Sequence, residues 1–448
     1  MPDRPNIVYI FTDQQSASAM SCAGNPDLKT PVMDSLARDG VLFENAYVSQ
    51  PLCTPCRASM FTGMMPHECG APKNGMPIRE DLRGKELGRA LQEGGYECLY
   101  GGKWHIPQGA MPPQNDHGFR ALCGFQDNRL AEACVSFFRE HAQQPPQSRK
   151  PFFLVASFDN PHNICEWSRA MPLPWGSIGE PPPPEDCPNL PPNFLPAAFE
   201  PSIIRVEQKC NWAINAYQDR SAEDWRQLRW AYFRLVEKVD REIGKVLDGL
   251  KAHGLDGNTV AIFSSDHGDG HGAHRWNQKS ALFEEIVKVP LIIRAPNGVA
   301  GLRDSRLASI GLDLYPTVCD YAGVTPPSGL RGYSLRPVAE GRRPATWRER
   351  LFIETLFDGG RGYDTQGRVV RTPQHKYVCY DRGQHREQLF DMEKDPGEMV
   401  NLAVEARYRP LLEQCRRWLA DHVRETGDVF HVPGHSDGHE WARKVRPS

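Results

Sequence analysis

Long hydrophobic runs are missing from this 448-residue sequence, and its opening "MPDRPNIVYIFTD" holds only the short apolar stretch "IVYIF". That is too little for the core of a secretory signal or for a membrane span. The chain as it stands reads as cytoplasmic, and a periplasmic or secreted protein stripped of its leader would read the same. Net charge is nearly absent too: 53 Lys and Arg against 56 Asp and Glu give −3. No global field is available to hold nucleic acid or an anionic membrane surface, so an anionic ligand must be attracted locally. Also lacking is a paired cysteine framework. The thirteen cysteines are odd in number and scattered from Cys22 to Cys415, which excludes a small disulfide scaffold and suggests mostly buried thiols. No internal repeat is visible.

What is present is an ordinary globular balance, 40% apolar and 24% charged, in a length that suits one large α/β domain with a smaller companion. Near-continuous apolar runs recur at 6–11 (NIVYIF), 151–158 (PFFLVASF), 259–265 (TVAIFSS), 289–295 (VPLIIRA) and 351–356 (LFIETL). Such runs are the pattern of strands covered on both faces. Between them lie helical periods, most clearly over 223–251, where Trp225, Leu228, Leu235, Val236, Val239, Ile243, Val246, Leu247 and Leu250 recur mostly at three- and four-residue steps. Thr30-Pro31 before "VMDSLARDG" offers an N-cap, a first-turn proline and a terminal glycine. The alternation predicts a doubly wound, largely parallel central sheet.

Residues 172–201 hold eleven of the 39 prolines, which forbids helix and interior strand and predicts an ordered loop or rim. The stretch 336–349 reads as a junction, dividing a catalytic domain over 1–340 from a C-terminal α+β subdomain over 341–448. In the latter, "HKYVCYD" and "EQLFDM" flank "RGQHR" as a hairpin, and 405–425 form an amphipathic closing helix through Leu411, Leu412, Trp418 and Leu419.

The most informative stretch is "SQPLCTPCRASMFTG" (49–63). Its CTPC supports three readings besides a nucleophile: a redox pair at a helix start, half of a zinc site, or two core thiols. No second C-x-x-C is present to complete a zinc site. Cys53-x-Pro55-x-Arg57 followed by "ASMFTG" resembles the signature of type I sulfatases, a family of the alkaline phosphatase-like superfamily in which the first cysteine is oxidised to formylglycine. The likeness extends through "RPNIVYIFTDQQ", "GGYECLYGGKWH", "FDNPHN", "SSDHGDGHGAHRWNQKSALFEEIVKVPLII", "GLDLYPTVCDYAG" and "EQLFDMEKDPGEMVNLA". In the second landmark Cys98 stands where Ser or Thr is usual, and Gly101 where a small apolar residue is usual.

That resemblance implies an alkaline phosphatase-like sheet and a sulfuric ester hydrolase acting on an anionic small-molecule or oligosaccharide sulfate ester. It implies a formylglycine at position 53, made by a formylglycine-generating or sulfatase-maturating enzyme. It also implies one divalent cation held by Asp13, Gln14, modified Cys53, Asp266 and His267. The oxygen-rich set suggests calcium, with manganese or magnesium as rivals. The hydrated aldehyde attacks sulfur, and the covalent sulfate leaves as the aldehyde re-forms. Arg57 holds the diol, Lys103 and Lys279 bind sulfate oxygens, His105 deprotonates the intermediate, and His162 protonates the departing alkoxide. Asn74, in "PKNGMP", stands where the family often carries a substrate-binding asparagine, although Asn-Gly is equally a turn signal. His271 and His274 frame the pocket without a ligand role. The proline-rich loop shapes the leaving-group side, and Arg361 and His375 are further candidates to line it. A rival within the superfamily is a phosphonate monoester or phosphodiester hydrolase; Lys103 and His105 favour sulfate, because Tyr and Thr tend to replace them there. A thiol redox protein and a noncatalytic binder of sulfated glycans complete the alternatives.

Overall fold

The computed structural model describes residues 4–107, 117–211, 214, 217–357 and 364–434. Eight strands form the central sheet: β1 Asn6–Asp13, β2 Val41–Tyr47, β3 Glu97–Gly102, β4 Arg120–Cys123, β5 Phe152–Pro161, β6 Thr259–Ser265, β7 Leu291–Arg294 and β8 Leu302–Ser309. Their order is β4-β3-β5-β1-β6-β7-β2-β8. Every neighbouring pair is parallel except those of β7, which runs against both β6 and β2.

Double burial explains the unbroken apolar runs. Along β1, Ile7, Tyr9 and Phe11 enter one core while Val8 and Ile10 enter the other, as a two-residue period requires. The second core is closed by the helices Asp127–Gln143 and Ala222–Ala252, the first by Cys53–Thr62 and Ile310–Ala322. The long helix starts at a reciprocal capping box: Ser221 Oγ accepts from Asp224 N at 3.1 Å, and Asp224 Oδ2 accepts from Ser221 N at 3.0 Å.

The helix Pro31–Arg38 forms, but Thr30 does not cap it. The hydroxyl of Thr30 accepts from Ser21 N instead, and the orphan amides of Val32 and Met33 donate to Asp240 on the long helix at 3.2 and 2.9 Å. Nor does Gly40 serve as a left-handed cap. A side chain there would meet the Ile293 carbonyl at 2.4 Å, so its glycine is demanded by close backbone approach.

A second, antiparallel sheet has the order β12-β11-β10-β9, with β9 Leu351–Leu356, β10 Gln366–Arg371, β11 His375–Tyr380 and β12 Glu387–Asp391. The expected hairpin is β11–β12, pairing Tyr377 with Leu389. One face joins the first core through Ile353, Val369 and Tyr380; the other packs on Leu412, Cys415 and Leu419 of the closing helix Arg409–Thr426. Leu411 and Trp418 lie half-buried at its margin. In the proline-rich stretch only a single turn, Pro184–Asp186, is regular. All thirteen cysteines are free. Among the described residues no helix is long and apolar enough to cross a membrane.

Candidate active site

Adjacent parallel strands β3, β5, β1 and β6 all end at one sheet edge, so the residues at or just past their ends converge although they are distant in sequence. β1 ends on Asp13, β6 is followed by Asp266 and His267, β3 by Lys103, and β5 carries Asp159 near its end. Cys53 opens a wholly buried helix whose amino end faces this cluster. Arg57 follows one turn later on the same face.

The Arg57 guanidinium ties the strand ends together. It lies 2.9 Å from Asp13 Oδ2, 2.8 Å from Asp266 Oδ2 and 3.0 Å from Ser157 Oγ, donates to the Lys103 carbonyl, and stacks 4.8 Å over Phe11. Burial opposes its charge, but Asp266 and Asp13 more than compensate and raise its pKa. Such a bidentate fork is a task for arginine rather than lysine. Lys103 Nζ sits between Asp13 Oδ2 at 2.7 Å and Asp159 Oδ1 at 3.0 Å, and Lys279 Nζ lies 3.1 Å from Cys53 Sγ. Burial works against both ammonium groups; Asp13 and Cys53 hold Lys103 charged, and Cys53 and Asp13 do so for Lys279. Burial and Asp13 push the Cys53 thiol up, but Lys279, Lys103 and His267 bring it well below the ordinary thiol value.

Asp13, Cys53, Asp266 and His267 each present a ligand atom, all within 4.8 Å of one another. His267 Nε2 is 3.2 Å from Cys53 Sγ, 3.5 Å from Asp13 Oδ1 and 3.7 Å from Asp266 Oδ1. Its Nδ1 faces the Gly268 carbonyl at 2.9 Å and must carry a proton there, which makes Nε2 the nitrogen turned into the cluster; against burial, Asp266 and Cys53 raise the imidazole pKa, and a cation would take the place of the Nε2 proton. Burial raises Asp266 and the neighbouring Asp13 raises it further, a crowding of negative charge that a cation relieves. This donor set fits a divalent ion.

The remaining expected residues are placed less uniformly. Gln14 adjoins the cluster, its backbone N–H donating to Asp266 Oδ1 at 3.2 Å, but its side-chain Nε2 is held by Asp269 Oδ2 at 2.7 Å and its Oε1 lies 3.7 Å from Cys165 Sγ. His162 is partly exposed, with Nδ1 3.9 Å from Asp159 Oδ1. His105 is exposed; its carbonyl accepts from Thr54 Oγ1 at 2.7 Å, so its backbone is pinned to the residue that follows Cys53. The oxygen of Asn74 accepts from Thr54 N at 3.0 Å, satisfying a free amide at the start of the Cys53 helix. His375 lies opposite Asp391 in the second sheet. Arg361 lies outside the described residues. His271 accepts from Arg229 and stacks on Tyr232, and His274 stacks on Phe283.

Two carboxylates carry roles that reading the sequence missed. Asp159 receives Lys103, Asn163 and Trp175 and faces His162; it stands inside the "FDNPHN" landmark, where only His162 attracted attention. Asp269 receives Gln14, Gln278 N and His271 N. Its signal was position alone, two residues past His267.

The sulfatase family model matches residues 5–324, and that of the N-sulphoglucosamine sulphohydrolase C-terminal region matches 272–425. The Delta 4,5-hexuronate-2-O-sulfatase of Bacteroides thetaiotaomicron is 30% identical over 96% of this chain and 90% of its own. A solved 2-O GAG sulfatase superposes with a TM-score of 0.82 at 28% identity, covering 95% of this chain and 93% of that one. The phosphonate monoester hydrolase of Agrobacterium radiobacter shares the fold, with a TM-score of 0.75 at 24% identity over 94% of this chain and 96% of that one. Fold and site together define a hydrolase of the alkaline phosphatase-like superfamily. Within it the chain belongs to the sulfatase family, and the protein is a sulfuric ester hydrolase.

Proposed function

We propose that the pocket releases inorganic sulfate from a sulfated saccharide, with residue 53 as the nucleophile. The observation that carries this reading is the pair of ammonium groups, buried Lys103 and half-buried Lys279, set about a helix-start cysteine whose sulfur belongs to the ligand cluster. A sulfate ester repels an ordinary nucleophile, so its charge must be neutralised before attack. The substrate class follows the names of the relatives, which act on hexuronate 2-O-sulfate and, for the solved structure, are described as a GAG sulfatase.

Asp13, Asp266, His267, residue 53 and Gln14 would hold the cation, and calcium suits the hard oxygen donors. Bound there, it would lower the pKa of the hydrated formylglycine that a maturating enzyme makes from Cys53, which supplies an oxygen where the thiol sulfur now stands. Lys103 and Lys279 bind two sulfate oxygens. Arg57, expected from the sequence to hold the diol, has its donors engaged by Asp13, Asp266, Ser157 and the Lys103 carbonyl, and orients the two carboxylates for the ion. His162, with the Asp159 carboxylate 3.9 Å from its Nδ1, delivers a proton to the departing saccharide oxygen, which leaves as a neutral hydroxyl. His105, at the rim beside Thr54, takes the proton whose loss frees the sulfate.

The deciding experiment pairs the mass of the peptide spanning Cys53 with parallel assays of sulfated saccharides and an aryl phosphodiester. Loss of hydrogen sulfide with gain of one oxygen atom, plus sulfate release, is expected; preferred phosphodiester cleavage would overturn the choice of ester. Metal analysis of the same preparation tests calcium.

A further inference from the structure

We propose that Phe125 and Trp175 form an aromatic platform that receives the pyranose ring carrying the sulfate. This deepens the preceding reading and rests on it. Phe125 is 45% exposed, between β4 and the helix Asp127–Gln143, yet it is not at a remote surface: Lys103 Nζ lies 5.8 Å from its ring centre. Trp175, from the proline-rich loop, meets the Phe125 ring edge to face at 5.5 Å. Its indole N–H donates to Asp159 Oδ2 at 3.0 Å, while the other oxygen of that carboxylate accepts from Lys103 and faces His162. One carboxylate thus links the aromatic pair to the sulfate-binding lysine and to the group that protonates the leaving oxygen.

The platform is held in place from behind. Asp127, two residues after Phe125, accepts from Asp159 N at 2.6 Å and from Asn160 N at 2.8 Å, fixing the Phe125 turn to the end of β5. Lys238 on the long helix donates to the carbonyls of Trp175 and Gly176. Among the described residues Phe125 keeps 45% of its surface open beside an anion site, an exposure that packing against Trp175 alone does not account for. The C–H groups on a pyranose face are weakly positive and apolar, and they suit the negative face of an aromatic ring. An ester bound with its sulfate on Lys103 and Lys279 and its bridging oxygen toward His162 extends its sugar ring toward Phe125.

The test uses the matured protein with 2-O-, 4-O- and 6-O-sulfated pyranosides and with inorganic sulfate as competitive inhibitor. Phe125→Ala is expected to raise KM for the pyranoside turned over about tenfold, to leave kcat within about threefold, and to leave the inhibition constant of inorganic sulfate unchanged. Phe125→Trp should restore KM to within about threefold of the parent. An unchanged KM in Phe125→Ala, or an equal loss of inorganic sulfate binding, overturns the platform while the parent's sulfatase reading stands. A parent protein that turns over no pyranosyl sulfate overturns that reading and the platform with it.

Discussion

The ammonium of Lys279 lies 3.1 Å from the sulfur of Cys53, although 226 residues separate them in the chain. This half-buried lysine is kept charged by its neighbours, the Cys53 sulfur first and Asp13 next. Its removal should therefore act on the anion rather than on the core. Lys279→Met is expected to lower kcat/KM by about 10²–10³, the scale of losing one preorganised charge donor. The mass of the Cys53 peptide, measured on the same sample, should show undiminished conversion; a mutant fully matured and fully active would remove Lys279 from the anion site.

The two cysteines of CTPC should respond oppositely. Burial, then Asp266, pushes the Cys56 thiol well above its ordinary value, and its sulfur packs 3.9 Å from Met60 Sδ. That is a core thiol, not a partner for exchange. Cys53→Ala should abolish sulfate release. Cys56→Ser should keep activity within about threefold and cost about 1–3 kcal/mol for a buried hydroxyl, read from urea unfolding. Loss of activity in Cys56→Ser with native stability would revive the redox alternative.

Asp269 should matter to the ion without touching it. By holding Gln14 Nε2 it sets which end of that amide is turned away from the Asp269 carboxylate. Asp269→Asn places an amide group against that donor and is expected to weaken calcium binding about 10–100-fold in calorimetric titration. Unaltered affinity would argue that Gln14 is no ligand.

Acid should loosen the loop that carries Asp266, His267 and Lys279. Burial, with Arg229 for His271 and Lys376 for His274, depresses both imidazoles to about 3. The unfolded chain takes up these protons near its ordinary histidine value, at about 6.5, while the folded chain refuses them until about 3. Stability is therefore complete above the unfolded value and falls as pH drops below it, by about 1.4 kcal/mol per unit per histidine. Urea midpoints at about pH 7.5 and 5.5 should differ in the parent, and the difference should shrink by about 1 kcal/mol in His271→Asn. Equal slopes would show that His271 does not carry the effect.

The five apolar runs all became strands, because a strand buried on both faces leaves an uninterrupted composition that needs no partner to be recognised. β8, "LRDSRLAS", escaped because an edge strand exposed over its first half carries no such run. The run at 289–295 was legible as a strand but not as the antiparallel member of the sheet, since direction depends on the path of the chain and not on side-chain period. Similarly, Thr30-Pro31 marked a helix start correctly, while the group that caps it came from Asp240, a neighbour only in space.

The sequence by itself brought out Cys53 and Arg57 as a pair. Cys53 and Arg57 are four residues apart in one helix, and that spacing alone puts them on one face. It also determined the strand-end acids, because Asp13 and Asp266 each close a recognisable apolar run. Only the tertiary structure decided what surrounds them. Strand order brings β3, β5, β1 and β6 side by side, so Lys103, Asp159, Asp13 and Asp266 meet. Asp159 acquires its links to Lys103, His162 and Trp175, and Phe125 comes to stand beside Lys103, through contacts between distant segments. Periodicity is local and can be read along a chain; the convergence of charges and rings depends on how sheets order and helices cover, and is settled only when the cores close.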